Sequence, residues 1–200
     1  METYSFYLQT SQIKELVTLL QSLTGTAVFK QEAPAEINTD RPCPRNFVPD
    51  ILFISQNING WLEVDHNAPR PLPEWGILLS KELSTRFVQV YADKVKQHLL
   101  VYKDGQCERE IKVNRSKGSP IKDIGKKFDF EMPYIHLPGA YKNEADFENE
   151  ELLAQCGIFS YETMKGYYEF FGFDPSDVDI DARCYTLRKA TVSSLLYVCK

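Results

Sequence analysis

The alternation of hydrophobic and polar residues predicts one segment around which the rest of the chain is arranged. Two runs typical of strands, Phe87–Tyr91 and Leu99–Tyr102, are followed by Asp104-Gly105 and then by Cys107–Val113. An Asp-Gly pair between β-type runs predicts a tight hairpin, because glycine tolerates the positive φ angle that the turn requires. The pattern therefore predicts a three-stranded antiparallel meander over about residues 86–113.

Two segments before this meander carry the apolar spacing of amphipathic helices. Apolar residues recur three and four positions apart over residues 13–23, and Gly25 follows as a helix stop. A second helix is predicted from Pro73 to about Thr85, since proline suits the first turn of a helix. Apolar helix faces of this kind need a sheet to cover them. The predicted fold class is therefore α+β, with a mainly antiparallel sheet, a central meander at about 86–113 and helices packed on one face.

The remaining segments add shorter elements. A hairpin is predicted over residues 51–64, after an irregular, proline-rich stretch at 31–50. The other predicted elements are strands at 4–8, 26–30, 185–189 and 192–199, helices at 143–155 and 160–171, a loop at 174–181, and a stretch at 114–138 that is mostly loop with short strands around 128–130 and 134–137. A domain boundary at the proline-rich connector, residues 67–73, would leave an N-terminal part too small for a secure domain. A single domain over residues 1–200 is therefore predicted.

Composition and cysteine usage narrow the class of protein. The chain has 200 residues, of which 43% are hydrophobic and 12% aromatic, and this supply of core residues excludes a disordered protein. Its five cysteines are scattered without a CxxC pair, which predicts free thiols in a reducing compartment. The first residues lack a signal-peptide pattern, and no apolar run approaches the ~20 residues that span a bilayer. A cytoplasmic protein without membrane association is expected.

Candidate catalytic residues are few and scattered. Cys43, His66 and His136 could line a cleft between the sheet and the 31–50 loop, and a small cytoplasmic enzyme with such a site is the alternative hypothesis. Asp65 precedes His66, but neighbouring residues of a strand point to opposite faces, so this pair is poorly placed for a catalytic contact. No histidine has a partner at metal-ligand spacing of the HExxH kind.

Known cofactor and metal motifs are absent from the sequence. An EF-hand loop starting at Asp174 would need glycine at its sixth position and glutamate at its twelfth, where the chain has Asp179 and Tyr185. The stretch Lys117–Pro120 has a lysine and a glycine in the wrong order for a Walker A loop, and no GxSxG is present. No cofactor and no metal are therefore predicted.

Charge is distributed unevenly along the chain. Residues 94–127, the basic segment, hold ten Lys/Arg against four Asp/Glu, a balance of +6. Residues 141–182, the acidic segment, hold two Lys against eleven Asp/Glu, a balance of −9. The two segments could pair with each other or be solvated faces. The more specific hypothesis is that the protein is a non-enzymatic protein-binding module and that its acidic segment recruits a basic protein. The predicted contact residues are Glu148, Glu150, Glu151, Asp174, Asp177 and Asp179.

A nucleic-acid partner is the less favoured hypothesis. It would use the basic loop at 112–127, whereas the whole chain has a pI near 5.3 and carries no RNA-binding or helix-turn-helix signature. No feature of the sequence indicates an oligomeric state.

One set of residues resembles a known group of proteins. The runs Trp75–Ser80, Leu83–Asp93 and Leu99–Gly105 place a helix before a strand and then a hairpin with a Tyr-x-Asp-Gly turn. This arrangement resembles small uncharacterised bacterial proteins, some of them similar to immunity or toxin-neutralising proteins, over about a sixth of the chain. The resemblance implies a bacterial, stand-alone interaction protein with a toxin as partner. It transfers no functional residue.

Overall fold

A computed structural model describes residues 4–25, 27–29, 48–49, 51–57, 59–92, 96–114, 119–128, 167–172 and 178–188. In chain order its elements are β1 (Tyr4–Leu8), α1 (Ile13–Thr24), β2 (Ala27–Phe29), β3 (Ile51–Asn57), β4 (Leu62–His66), α2 (Pro73–Glu82), β5 (Arg86–Ala92), β6 (Lys96–Lys103), β7 (Gln106–Asn114), β8 (Ser119–Gly125) and β9 (Val178–Arg188). Residues 167–171 are also helical and end in a turn at Gly172, and we call residues 167–172 the cover segment.

The described strands form one antiparallel sheet in the order β2-β9-β3-β4-β1-β5-β6-β7-β8. The first strand of the chain, β1, therefore lies in the middle, between β4 and β5. Strands β5, β6 and β7 form the predicted meander. Asp104 and Gly105 both have positive φ angles, 50° and 78°, as a two-residue hairpin turn of the favoured hand requires. The α+β fold with a mainly antiparallel sheet is confirmed.

Two strands differ from the sequence-based expectation. The loop predicted over 114–138 contains β8, an edge strand with Pro120 in it, which such an edge tolerates because one side of its backbone needs no ladder partner. The acidic loop predicted at 174–181 is wrong from Val178 onward, where β9 begins and runs between β2 and β3. The alternation of apolar and charged residues from Val178 to Arg183 is a strand pattern that the excess of aspartate obscured. The strand predicted at 192–199 lies outside the described residues.

The two helices predicted before the meander both lie against one face of the sheet, and the helix predicted at 143–155 lies outside the described residues. Leu16 and Leu20 of α1 and Trp75 and Leu79 of α2 join a single apolar core with inward-facing residues of β1, β3, β4, β5 and β6. Close approach of α2 to the sheet depends on Gly76, since a Cβ at that position would lie 2.6 Å from Cδ2 of the neighbouring Tyr102 ring. The packing of α1 and α2 removes the apolar faces of these helices and one face of the sheet from water. This burial is the main favourable contribution to folding.

The opposite face of the sheet carries a second apolar cluster. Residues of β1, β5, β6 and β7 pack there with Trp61, and the cover segment adds Tyr167 and Phe171. Phe128, just after β8, packs against the same aromatic group. The central strands are therefore buried on both faces, with helices on one side and the cover segment on the other.

Candidate functional site

Four polar residues of β1 and β4 lie together on the face of the sheet that carries the cover segment, and we call Ser5, Tyr7, Glu63 and Asp65 the carboxyl cluster. The two strands pair so that Ser5 lies opposite Asp65 and Tyr7 lies opposite Glu63. Directly opposed residues of an antiparallel pair point to the same face, and alternate residues point to the other face. The sequences Ser-Phe-Tyr and Glu-Val-Asp therefore place all four polar side chains on one face and the apolar residues between them in the opposite core.

Each carboxyl group of the cluster accepts a hydrogen bond from a hydroxyl of β1. The Oγ of Ser5 donates to Oδ1 of Asp65 over 2.5 Å, and the phenol of Tyr7 donates to Oε1 of Glu63 over 2.9 Å. Glu63 is only 6% exposed, and Tyr7 is also buried. Burial of a carboxylate is unfavourable unless it is hydrogen-bonded or paired, so these bonds are what allow the acids to occupy this face.

The electrostatics of the cluster make Glu63 its titrating group. Burial, together with the nearby Asp65 carboxylate, raises the pKa of Glu63 from 4.5 to about 7, although the Tyr7 hydrogen bond acts in the opposite direction. Burial and the proximity of Glu63 raise the pKa of Tyr7 well above its usual value and that of Tyr168 to about 12. The two tyrosines therefore stay protonated, while Glu63 exchanges its proton near neutral pH.

Tyr7, Trp61 and Asn59 are among the residues that hold the cover segment against this face of the sheet. The ring of Tyr168 lies edge-on to the ring of Tyr7, with 6.1 Å between their centroids. Nε1 of Trp61 donates to the carbonyl of Phe171 over 3.1 Å. The next carbonyl, that of Gly172, accepts a hydrogen bond of 2.6 Å from the side chain of Asn59. These two bonds satisfy carbonyl groups that the end of a helix leaves without an intrahelical partner.

The sequence-based candidate His66 lies on the other face of β4, as expected from its position next to Asp65. Its Nδ1 accepts the Ala68 N–H over 3.2 Å, and its Nε2 lies 3.1 Å from Nε2 of Gln89. The Gln89 Oε1 accepts the N–H of Leu72, the residue before α2. His66 is 3% exposed, and burial lowers its pKa to about 3. The imidazole is therefore neutral at physiological pH and connects β4 to the start of α2.

The other predicted site residues are placed only in part. Cys43 and His136, the remaining catalytic candidates, lie outside the described residues. So do five of the six predicted contact residues, namely Glu148, Glu150, Glu151, Asp174 and Asp177. The backbone of Asp179 belongs to β9, near its start. The cleft beside the 31–50 loop and the acidic contact surface stay predictions.

Ion pairs connect the strands of the meander and its edge. The guanidinium of Arg86 forms two hydrogen bonds to Glu108, of 2.8 and 3.0 Å, and lies over the ring of Phe171 at 5.3 Å from its centroid. Arg109 has a fully buried side chain that pairs with Asp123. A bidentate contact fixes the geometry of an ion pair, and removal of one partner of a buried pair is destabilising because it leaves an uncompensated buried charge.

Glu110, Lys122 and His98 form a second charged group near β8, on the face of the sheet that carries α1 and α2. Glu110 accepts a hydrogen bond of 2.7 Å from Nζ of Lys122 and lies 2.9 Å from Nε2 of His98. Cys107 is exposed, and partial burial with the nearby Glu110 raises the pKa of its thiol. A raised pKa keeps this sulfur in its less nucleophilic, protonated form. The side chain therefore lacks the activation that a catalytic cysteine needs.

The carboxyl cluster was not predicted from the sequence, although the alternation of polar and apolar residues in β1 and β4 was a usable signal.

No group of three or more His, Cys, Asp or Glu in the described part of the chain is placed to hold a metal ion. Of the helices that the structure describes, none is both long and apolar enough to cross a membrane. No family model, no curated protein and no solved structure matches this chain. The function therefore has to be inferred from the residues themselves.

Proposed function

We propose that this protein is a non-enzymatic, cytoplasmic binding module that docks a basic protein through its acidic segment. The contact residues in this proposal are Glu148, Glu150, Glu151, Asp174, Asp177 and Asp179. A balance of −9 over 42 residues attracts a positively charged surface, speeds its encounter and disfavours acidic competitors. A basic toxin is the partner that the resemblance to immunity proteins suggests.

The observation that supports the proposal is the local character of the described ion pairs. The carboxylates that face Arg86, Arg109 and Lys122 are those of Glu108, Asp123 and Glu110. All three carboxylates belong to the basic segment itself. An acidic segment folded onto these cations would compete with those carboxylates. The proposal needs local pairing of this kind, because an acidic segment that neutralised the basic segment would have no surplus charge to offer a partner.

The proposal is tested with two charge-reversed variants of equal charge change. The first carries Glu148→Lys, Glu150→Lys and Glu151→Lys in the acidic segment. The matched control carries Glu15→Lys, Glu74→Lys and Glu82→Lys, three exposed positions on α1 and α2. A partner captured from the source cells at low salt is purified, and its association with the parent and both variants is measured at increasing salt.

The expected result is a tenfold or larger loss of association rate in the acidic-segment variant only, together with a steep decrease with salt in the parent. Equal losses in the two variants would refute the proposal, because they would assign the effect to net charge. Capture of no salt-sensitive partner would refute it as well.

A further inference from the structure

We propose that the face of β7 and β8 beside α2 docks an amphipathic helix of a partner protein, and that the polar side of this helix is acidic. We call the surface the β7–β8 groove. It consists of Glu110 and Lys112 of β7 and Lys122 and Ile124 of β8, and it is bordered by Ile77 of α2. Its position and its charge differ from those of the acidic segment, so this inference goes beyond the proposed function and does not rest on it.

The register of β6, β7 and β8 places the residues of the groove on the face that carries α1 and α2. Leu100 of β6 belongs to the apolar core beneath these helices, and it pairs with Glu110. Glu110 pairs in turn with Ile124 of β8. Two residues further along β7, Lys112 pairs with Lys122. Directly opposed residues of antiparallel strands point to the same face, and so do residues two apart on one strand, so all four side chains lie on the helix side.

The groove has the width of one helix. Helix α2 lies mainly over β5 and β6, and α1 lies near β2 and β9 at the other end of the sheet. Adjacent strands are about 4.8 Å apart and packed helices about 10 Å apart, so a helix beside α2 would lie two strands further along, over β7 and β8. None of the described side chains of β7 and β8 belongs to the apolar core beneath α1 and α2. The sheet therefore offers a position for one more helix.

Two exposed isoleucines give the groove its apolar contacts. Ile77 is 45% exposed and Ile124 is 44% exposed, and in the described part of the chain the only other large hydrophobic residue so exposed is Phe170 of the cover segment, on the opposite face. The Cβ of Lys81 lies 2.9 Å from the place of a Cβ on Gly105, in the turn that joins β6 to β7. Residues four apart lie on one side of a helix, so Ile77 is on the same flank of α2 as Lys81. Isoleucines on both sides of a groove suit a helix with apolar residues three or four positions apart.

The floor of the groove carries more positive than negative charge. Both carboxylate oxygens of Glu110 are used locally, since Oε2 accepts a hydrogen bond from Lys122 and Oε1 lies 2.9 Å from Nε2 of His98. Lys112 stands between these two groups, directly opposite His98 on β6 and Lys122 on β8. Of the described carboxylates, none forms an ion pair with Lys112. Like charges directly opposite each other on adjacent strands are unfavourable, and a carboxylate of a partner above Lys112 and Lys122 would relieve that repulsion.

The rim of the groove does not reverse this charge. Helix α2 contributes one cation and one anion on its flank, Lys81 and Glu74. Lys126 and Lys127 follow β8 at exposed positions. The groove therefore favours an acidic helix, although the whole chain has a net charge of −5.

Two synthetic peptides of about 18 residues, long enough to form a helix, probe the groove. Both carry leucine at every third or fourth position, and the other positions hold glutamate and alanine in the acidic peptide or lysine and alanine in the basic peptide. Each is labelled with fluorescein, and its anisotropy is titrated with the full chain at low salt. We expect the acidic peptide to bind roughly tenfold more tightly than the basic peptide. Net charge alone predicts the reverse order, because the chain is negative overall.

Variants of the full chain locate the bound peptide. Ile124→Ser and Lys112→Glu should each weaken binding of the acidic peptide roughly fivefold or more, because each removes a contact of the groove. The controls are Phe170→Ser, which removes an exposed apolar side chain from the opposite face, and Lys14→Glu, the same charge reversal at an exposed position of α1. Neither control should weaken binding. If a groove variant does not fold, Ile77→Ser and Lys112→Gln take its place and should also weaken binding.

Three results would overturn the proposal. The first is equal or tighter binding of the basic peptide, or no binding of the acidic one. The second is a loss of binding in the controls as large as that in the groove variants. The third identifies a second copy of the chain as the occupant: the parent would then sediment as a dimer and Ile124→Ser as a monomer.

Discussion

Replacement of Glu63 by glutamine is expected to stabilise the protein at alkaline pH. The pKa of Glu63 is about 7 in the folded chain against an ordinary value of 4.5. A carboxyl whose pKa rises on folding contributes its full stabilisation below pH 4.5 and loses it as the pH rises through 7. At about 1.4 kcal/mol for each pKa unit, ionisation of Glu63 lowers the free energy of unfolding by roughly 3 kcal/mol between pH 4 and pH 8. Glutamine has the same shape, and its carbonyl can accept the Tyr7 hydrogen bond.

Urea denaturation at pH 5, 6, 7 and 8 measures this difference between Glu63→Gln and the parent. The stability of the variant relative to the parent is expected to increase with pH, by roughly 2–3 kcal/mol over this range. Glu15→Gln, at an exposed position of α1, is the control and should show a constant difference. A difference for Glu63→Gln that stays within about 0.5 kcal/mol at every pH would refute the reasoning.

Three further predictions concern the packing and charges around the sheet. Gly76→Ala should lower the free energy of unfolding by roughly 1–3 kcal/mol in urea denaturation, despite the better helix propensity of alanine, because its Cβ would collide with the Tyr102 ring; a stabilised variant would contradict this. Asp123→Asn should cost roughly 3 kcal/mol, at the low end for a broken buried ion pair because Asp123 is 30% exposed; a loss under about 0.5 kcal/mol would show that the buried Arg109 does not need it. The imidazole of His66 should stay neutral by NMR from pH 8 down to about pH 4, given its lowered pKa, and a midpoint near 6.5 would disprove its burial.

The elements that local chemistry determines could be read from the sequence. The Asp104-Gly105 pair favours a two-residue hairpin turn independently of the rest of the fold. The meander could therefore be predicted from these two residues and the strand-like runs beside them. Helix α1 followed from one apolar stripe, and Gly25 ends it in the left-handed conformation that the prediction required. Edge strand β8 was missed because its proline and glycine have the same composition as a loop.

The carboxyl cluster could be predicted only in part. Alternation within β1 and β4 shows that Ser5 and Tyr7 share a face, and that Glu63 and Asp65 do so too. It does not show that the two strands are neighbours, because 56 residues separate Tyr7 from its hydrogen-bond partner. The raised pKa of Glu63 depends on that pairing and on coverage by residues about a hundred positions further along the chain. Long-range packing of this kind leaves no mark on the local sequence.

The position of β9 has a consequence for synthesis of the protein on the ribosome. This strand pairs with β2 on one side and β3 on the other, yet it begins 121 residues after β3 ends. At about 5–20 residues per second, β3 emerges roughly 6–24 s before its second neighbour exists. During that interval the nascent chain carries a free backbone edge that can recruit strands from other chains. A chaperone that shields β3 co-translationally, or slow initiation that keeps nascent chains apart, would therefore raise the yield of folded protein.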